Sequence, residues 1–349
     1  MTNHHTSALL DALDAAIRGR NLARADADAA MEEILSGRSS DGQIEAFLRA
    51  LLAKGETVDE LVGFAAAMRR HAALAFPVPR MNGVKLLLDT CGTGGDGRNT
   101  FNISTCAAFV AAGAGARVAK HGNRSISSRC GSADVLEALG VRLDVPLSRM
   151  GEAVADVGIG FFFAQAAHTA MRHAMPARKK IKEHTAFNLL GPLTNPAGAS
   201  VQVAGVFNER ATALVAQAMA ELGTERAFVV HGADGLDEIS LSGETHVAEV
   251  RRGAVRSYTV APEDFGSVRA PLDAVKGGDA SENRDRILGI LGGERGAPRD
   301  IVVINAAAAL VASGLAADFT DGAERAGRAI DSGAARGKMD ELVAFCNAT

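Results

Sequence analysis

The stretch VKLLLDTCGTGGDGRNTFNISTCAAFVAAGAGARVAKHGNR, residues 84–124, decides the fold. It opens with the apolar run Val84–Asp89, which reads as a strand, and crosses a glycine-rich loop. It then enters Ser104–Ala114, which reads as a helix, and reaches a second short strand at Arg117–Ala119. Strand, helix and strand in succession imply a largely parallel sheet with helical cover. The same rhythm continues downstream. Ala133–Leu139 reads as a helix, and Gly160–Phe163, Val201–Val206, Ala227–His231 and Ile301–Ile304 read as strands, the last leading into a helix through Val311. Between Glu238 and Val260 the period falls to two, with glycine breaks, which predicts an antiparallel meander.

Upstream of this stretch the pattern is helical only. Leu9, Leu10, Leu13 and Ile17 share one helical face, and Ile44, Phe47, Leu48, Leu51 and Leu52 repeat that spacing. Leu61, Phe64 and Met68 make a further face. Ser40 with Gln43, and Thr57 with Glu60, are capping-box patterns, while Gly37 and Gly55 suit helix C-termini. Phe76-Pro77-Val78-Pro79 reads as a linker. The expected organisation is α/β: a small helical domain over residues 1–76 and a larger domain over 77–349 with a central, mostly parallel sheet. His168–Lys182 reads as a helical stretch rich in His, Arg and Lys, out of rhythm with the sheet. It predicts that 168–186 returns to the helical domain and places a cationic helix at an interdomain cleft.

Composition narrows the function classes. A chain of 349 residues with 47% hydrophobic and 22% charged residues can bury a full core without disulfides. The net charge of −4 supplies no global field for nucleic acid, so an anionic ligand needs a local cationic pocket. Cys91, Cys106, Cys130 and Cys346 show no CxxC spacing, which favours reduced thiols in a cytoplasm. Neither a signal-peptide run at Met1–Leu10 nor a stretch of ~20 uninterrupted apolar residues is present, so no membrane association is expected.

Four segments carry chemistry. In the first, Gly92, Gly94 and Gly95 can take φ > 0 and let the backbone approach a ligand, while successive N–H groups form an anion nest. The helix beginning near Ser104 adds its N-terminal dipole, and Ser104 and Thr105 add hydroxyls for phosphate or, at Ser104, a cation. A tight strand–helix turn needs the same glycines. Gly92, Gly94 and Gly97 also satisfy G-x-G-x-x-G, but no acidic residue closes the next strand as a dinucleotide site requires. In the second segment that strand ends in Lys120-His121-Gly122-Asn123-Arg124, followed by Ser125, Ser127, Ser128 and Ser132. Lys120 and Arg124 can neutralise diphosphate; the alternative is a solvated basic turn. In the third, Asp237 and Glu238 after His231-Gly232 can hold Mg2+ through oxygen. A lone Asp-Glu pair is otherwise a solvated turn. The fourth, Phe187–Pro196, reads as rigid architecture, and Arg178 ahead of it as a carboxylate clamp or a surface charge.

Taken in order, Gly92–Asp96, Asn102–Thr105, Lys120–Arg124 with the serines through Ser132, Asn188–Pro196 and His231–Glu238 resemble the anthranilate phosphoribosyltransferase family. The resemblance runs over almost the whole chain and includes Lys54-Gly55-Glu56-Thr57. It implies the fold of the class II nucleoside phosphorylases, with the helical domain hinged to the α/β domain, usually as a homodimer. It also implies a step of tryptophan biosynthesis, in which anthranilate displaces diphosphate from 5-phosphoribosyl-1-diphosphate (PRPP) with Mg2+ as cofactor. Carried over, Gly92, Gly95, Asp96, Thr100, Asn102, Ile103, Ser104 and Thr105 would line the PRPP site. Lys120, His121, Gly122, Asn123, Arg124, Ser125, Ile126, Ser127, Ser128 and Ser132 would complete it. Gly92, Asn123, Arg178, His168 and His173 would meet anthranilate, and Ser104, Asp237 and Glu238 would meet the metal. No residue is expected to act as a strong general base. Cys130 stands where the family pattern has a small polar residue, and Thr169 where it has proline. The rival expectations are a pyrimidine nucleoside phosphorylase, with a different lysine–serine phosphate pattern, and a non-catalytic nucleic-acid-binding relative.

Overall fold

The structure, a computed structural model, describes residues 7–75, 86–125 and 129–348. The expected linker at Phe76–Pro79, and Val84 and Lys85 of the first expected strand, lie outside the described residues. Four helices come first: α1 (Ala8–Ile17), α2 (Arg24–Leu35), α3 (Asp41–Lys54) and α4 (Val58–Ala75). Ser40 and Gln43 close a reciprocal cap on α3. Thr57 and Glu60 do the same at α4, where Glu60 also accepts the Leu22 N–H at 2.9 Å and the Lys54 ammonium at 2.9 Å. Gly37 and Gly55 have φ of 69° and 85°, the left-handed region that lets the chain leave α2 and α3.

The remainder is a seven-stranded sheet with helical cover. In chain order come β1 (Leu88–Asp89), α5 (Ile103–Gly113), β2 (Val118–Gly122), α6 (Ser132–Ala138), α7 (Leu147–Asp156), β3 (Ile159–Phe163) and α8 (Ala164–Ala167). Next are α9 (Met175–Lys180), α10 (Ala186–Leu190), β4 (Val201–Gly205), α11 (Glu209–Glu221), β5 (Arg226–Gly232), β6 (Thr245–Arg251) and β7 (Ala254–Val260). Four helices close the chain: α12 (Ala280–Leu291), α13 (Ala297–Ala312), α14 (Phe319–Asp331) and α15 (Ala334–Asn347). The strand order is β3-β2-β1-β4-β5-β6-β7, parallel through β5 and antiparallel from there on. The expected small helical domain followed by a larger domain with a mostly parallel sheet is therefore what the chain forms, meander included.

Two expectations fail. Ile301–Ile304 is not a strand; it lies inside α13. A continuous apolar run is also what a helix buried on nearly every side displays, and Ile301, Val302 and Ile304 are all inaccessible. His168–Lys182 is not one helix but a 3-10 turn, Thr169–His173, followed by α9. Pro176 sits in the first turn of α9, where its missing N–H costs nothing, and cannot continue a preceding helix.

Two apolar cores flank the sheet. One, beneath α5, α13 and α15, holds Leu88, Val118, Phe162, Val201 and Val230. The other joins Phe47, Leu51, Leu61 and Phe64 of the helical bundle to Ala174, Ala177, Ile181 and Phe187, then to Ala204, Val229 and Ala248 on the sheet. The Arg69 guanidinium of α4 donates to Leu193 O at 2.7 Å and Leu222 O at 3.2 Å, tying the bundle to the α/β unit.

Candidate active site

The loops that follow β1, β2, β4 and β5 all leave the carboxyl ends of parallel strands, where open α/β sheets bind ligands. That topology brings the glycine loop, the basic turn and the Asp237-Glu238 turn to one edge.

The base of this edge is a buried polar network that the sequence did not announce. Asp89, at the end of β1, accepts the His121 N–H at 3.0 Å and the Asn195 amide at 2.7 Å; Asn195 also donates to Ala119 O at 2.8 Å. Burial pushes the Asp89 carboxyl up to about 6, against the opposing pull of Lys120 and these hydrogen bonds. The Lys120 ammonium, itself buried, donates to Thr90 O and Oγ1 at 3.1 Å each and to Ser104 Oγ at 3.4 Å.

Three carboxyl groups cluster at the neighbouring turn, and one of them, Glu238, feels that ammonium. Glu238 accepts the Ser104 N–H at 3.1 Å, at the first turn of α5, and Asp237 N–H donates to Asp96 at 3.4 Å. Burial pushes Glu238 up to about 7, opposed by Lys120. Burial and then the negative charge of Asp96 and Glu238 hold Asp237 well above the usual carboxylate range. Asn305 of α13 positions this turn, accepting Ile239 N–H at 2.9 Å and donating to Ile239 O at 3.0 Å. Gly205 lies directly beneath: a Cβ there would overlap Asp237 O. Gly205→Ala is accordingly expected to lower the Tm, with a cost of about 1–3 kcal/mol from overpacking, and to weaken divalent-cation binding. An unchanged Tm in thermal denaturation together with unchanged cation affinity contradicts this.

The glycine loop is shaped by close approach as well as by dihedral freedom. Gly94 and Gly95 have φ of 65° and 82°, but Gly92 is not in that region. Gly92 is required because its Cβ would stand 2.8 Å from Gly205 O, beside the Thr93 N–H bond to Gly205 O at 2.8 Å. Gly95 lies under the His184 imidazole, which stacks on Phe207 with centroids 4.1 Å apart.

The remaining expected residues divide. Thr100 bridges to Lys276, and Asn102 donates to Cys130 O at 3.2 Å while accepting the Asn283 amide at 3.0 Å. Ile103 and Thr105 are buried, so neither side chain faces solvent. Asn123 accepts the Arg124 N–H at 2.8 Å and the Gln165 amide at 3.2 Å, and its N–H donates to Ser132 Oγ at 3.2 Å. Gly122 has no room for a Cβ because Ser132 Oγ occupies that space. Asp134 ties the turn together by accepting the Ser125 N–H at 3.1 Å and the Gly131 N–H at 2.8 Å. Arg124 is ion-paired with Asp134 and Glu137 at 2.9 Å each. Ile126, Ser127 and Ser128 lie outside the described residues. His168 meets His121 edge-on at 5.2 Å, whereas His173 packs its ring on Gly37 of the helical bundle. Arg178 is half-buried over the Phe187 ring, 5.1 Å from its centroid, and has no ion pair among the described residues.

Asp89, Asn195, His184 and Asn305 were missed. Asp89 at a strand end just before a glycine loop was a usable signal; the other three are recruited by tertiary contact alone.

The chain matches known proteins along nearly its full length. Residues 84–336 match the Glycosyl transferase family, a/b domain, and residues 10–72 its helical bundle domain. The anthranilate phosphoribosyltransferase of Solibacter usitatus is 55% identical over 338 residues, covering 97% of this chain and 98% of that one. The crystal structure of the Thermus thermophilus anthranilate phosphoribosyltransferase superposes with a TM-score of 0.89 at 44% identity, over 96% of this chain and 99% of that one. The Saccharomyces cerevisiae enzyme in complex with PRPP and Mg superposes with a TM-score of 0.87 at 27% identity, over 99% of each chain. The same yeast enzyme is known with 4-fluoroanthranilate, at a TM-score of 0.86 and 26% identity. Fold, motif order and near-complete coverage agree: the chain belongs to the anthranilate phosphoribosyltransferase family.

Proposed function

We propose that this edge binds PRPP and Mg2+ and presents C1 of the ribose to the amine of anthranilate, giving N-(5-phosphoribosyl)anthranilate and diphosphate. The observation that carries the reading is the meeting of Asp96, Asp237 and Glu238 at the glycine loop and the first turn of α5, with Glu238 facing Lys120 and bonded to Ser104 N–H. Asp237 and Glu238, whose proton affinity burial raises, form with Asp96 a hard oxygen donor set that suits Mg2+. Ser104, Asp237 and Glu238 would hold it, with Asp96 alongside. When bound, the metal supplies positive charge for the departing diphosphate. Gly92, Gly95, Asp96, Thr100 and Asn102–Thr105 line the PRPP side, through the backbone where Ile103 and Thr105 turn their side chains into the core. Lys120–Ser128 and Ser132 take the phosphates.

Cleavage of the anomeric bond places positive charge on the ribose ring and negative charge on diphosphate. Lys120, fixed by Thr90, is preorganised to stabilise the latter. The nucleophile is a neutral aromatic amine, so positioning matters more than deprotonation. Arg178, with its free guanidinium face, is the anthranilate carboxylate clamp, with Gly92, Asn123 and His168 nearby. His173 acts through the bundle it packs on. Residues 168–186 belong with the helical domain of 1–76, so closure of that domain brings Arg178 over PRPP and excludes water. The exposed Leu10, Ile17 and Leu52 of α1 and α3 supply a homodimer surface, and the free thiols suit a reducing cytoplasm. Among the described residues no helix is long and apolar enough to cross a membrane.

Because burial holds the metal-free Glu238 well above the usual carboxylate range, a proton competes with Mg2+ on acidification from neutrality. Mg2+ affinity is expected to fall roughly tenfold per pH unit on acidification below neutrality and to level off above it. Calorimetric titration across that range checks this; a pH-independent affinity contradicts it. The reaction itself is tested by following anthranilate fluorescence. Loss of signal that requires both PRPP and Mg2+, with equimolar diphosphate, supports the reading. No turnover by folded protein that binds PRPP overturns it.

A further inference from the structure

Three ligand atoms of different chemistry meet where β1 and β2 end. A carboxylate oxygen of Asp89, the sulfur of Cys91 and a ring nitrogen of His121 all lie within 4.8 Å of one another. Cys91 Sγ is 4.0 Å from His121 Nδ1. Asp89 and His121 are 0% and 4% exposed, and the His121 Nε2 has no hydrogen-bond partner. Beside it, edge-on at 5.2 Å, the buried His168 also has an unpartnered Nε2. Unpartnered buried imidazole nitrogens are costly, and the nitrogen nearest the thiol, His121 Nδ1, stands 3.3 Å from Gly191 O, a contact it gives up to take a cation.

We propose that Asp89, Cys91 and His121 form a second, soft-metal site, selective for Zn2+ or a cation of similar chemistry and separate from the oxygen-only carboxylate group at Asp96, Asp237 and Glu238. Zn2+ accepts a thiolate, an imidazole and a carboxylate together, whereas Mg2+ takes oxygen ligands alone. Tetrahedral zinc with bonds of about 2.0–2.3 Å holds its ligand atoms roughly 3.3–3.8 Å apart, so the trio closes on the ion by fractions of an ångström to about 1 Å. His168 is adjacent for a fourth ligand. Binding converts the Cys91 thiol to a metal-bound thiolate and releases one proton to solvent. Thiolate and carboxylate together cancel the ion's charge, which matters because the Lys120 ammonium is close and already bound to Thr90 and Ser104.

The consequence is inhibitory. Cys91 directly precedes Gly92, and His121 lies within the basic turn, so an ion here clamps the two phosphate-facing loops to each other. The clamp, unlike the site, rests on the function proposed above.

Cd2+ serves as a spectroscopic probe, because its thiolate complexes absorb in the ultraviolet through ligand-to-metal charge transfer. Titration of the wild-type protein in excess Mg2+ is expected to give a thiolate band that saturates at one equivalent, and Cys91→Ser to lose it. No band in the wild-type protein, or an undiminished band in Cys91→Ser, overturns the site. Co2+ bound to the wild-type protein supplies a reading that no variant can confound: strong visible absorption of a four-coordinate ion is expected, and the weak spectrum of a six-coordinate ion alone contradicts it. Neither reading requires turnover, so failure of the site and failure of the assigned reaction remain distinguishable. In the turnover assay, Zn2+ inhibition should persist in excess Mg2+ and require roughly tenfold more Zn2+ in Cys91→Ser. Inhibition relieved by Mg2+ places the ion on Asp237 and Glu238 instead and overturns the clamp.

Discussion

Glu238→Gln is expected to lower kcat/KM for PRPP roughly 10²- to 10³-fold, the range found when one preorganised electrostatic contact to a developing anion is removed. The substitution is nearly isosteric, and the amide oxygen can still accept the Ser104 N–H that Glu238 now accepts at 3.1 Å. The fold should therefore survive, with Tm unchanged or raised, because a buried carboxyl beside Asp96 and Asp237 is lost. What disappears is one of the negative charges that would offset the cation on the proposed reading. The Mg2+ concentration for half-maximal rate should rise along with the loss of rate. Steady-state kinetics across a Mg2+ series checks both together; a slow enzyme with an unaltered Mg2+ requirement removes Glu238 from the metal.

Arg178→Ala carries the second large effect, on the other substrate. The guanidinium is half-buried on Phe187 and lacks an ion pair among the described residues, while burial pulls its proton affinity below the ordinary arginine range. A buried cation without a counter-charge is a site awaiting an anion. A charge-assisted hydrogen bond contributes about 1.5–3 kcal/mol, so KM for anthranilate should rise roughly 10- to 100-fold. The KM for PRPP should change little. Arg178→Lys should recover only part of the loss, because an ammonium cannot make the paired contact of a guanidinium with a carboxylate. Equal increases in both KM values contradict the clamp.

How much of this was legible in the sequence depended on whether the information was local. Apolar runs at Val201–Val206 and Ala227–His231, flanked by glycine and polar breaks, read as strands and are β4 and β5. The period-two pattern before Val260 read as a meander and is β6 and β7. Ile301–Ile304 failed because a helix enclosed by α5, α14 and the sheet loses the polar face that marks a helix. At the site, the glycine loop, the basic turn and the Asp237-Glu238 pair each carried a local pattern, and the parallel topology brings them together. The pairing of Asp89 with Asn195 was not legible, since their 2.7 Å bond joins residues 106 apart in sequence. The capture of Arg124 by Asp134 and Glu137 was equally hidden, because a basic turn read alone does not show which acids α6 will place beside it.

The most direct test of the central claim, that one sheet edge gathers PRPP, metal and anthranilate, is a crystal structure of this protein with PRPP, Mg2+ and an unreactive anthranilate analogue. Diphosphate is expected between the Gly92–Asp96 loop and Lys120, the metal on Asp237 and Glu238, and the analogue's carboxylate on Arg178. PRPP bound away from those loops, or an analogue that leaves Arg178 untouched, contradicts it.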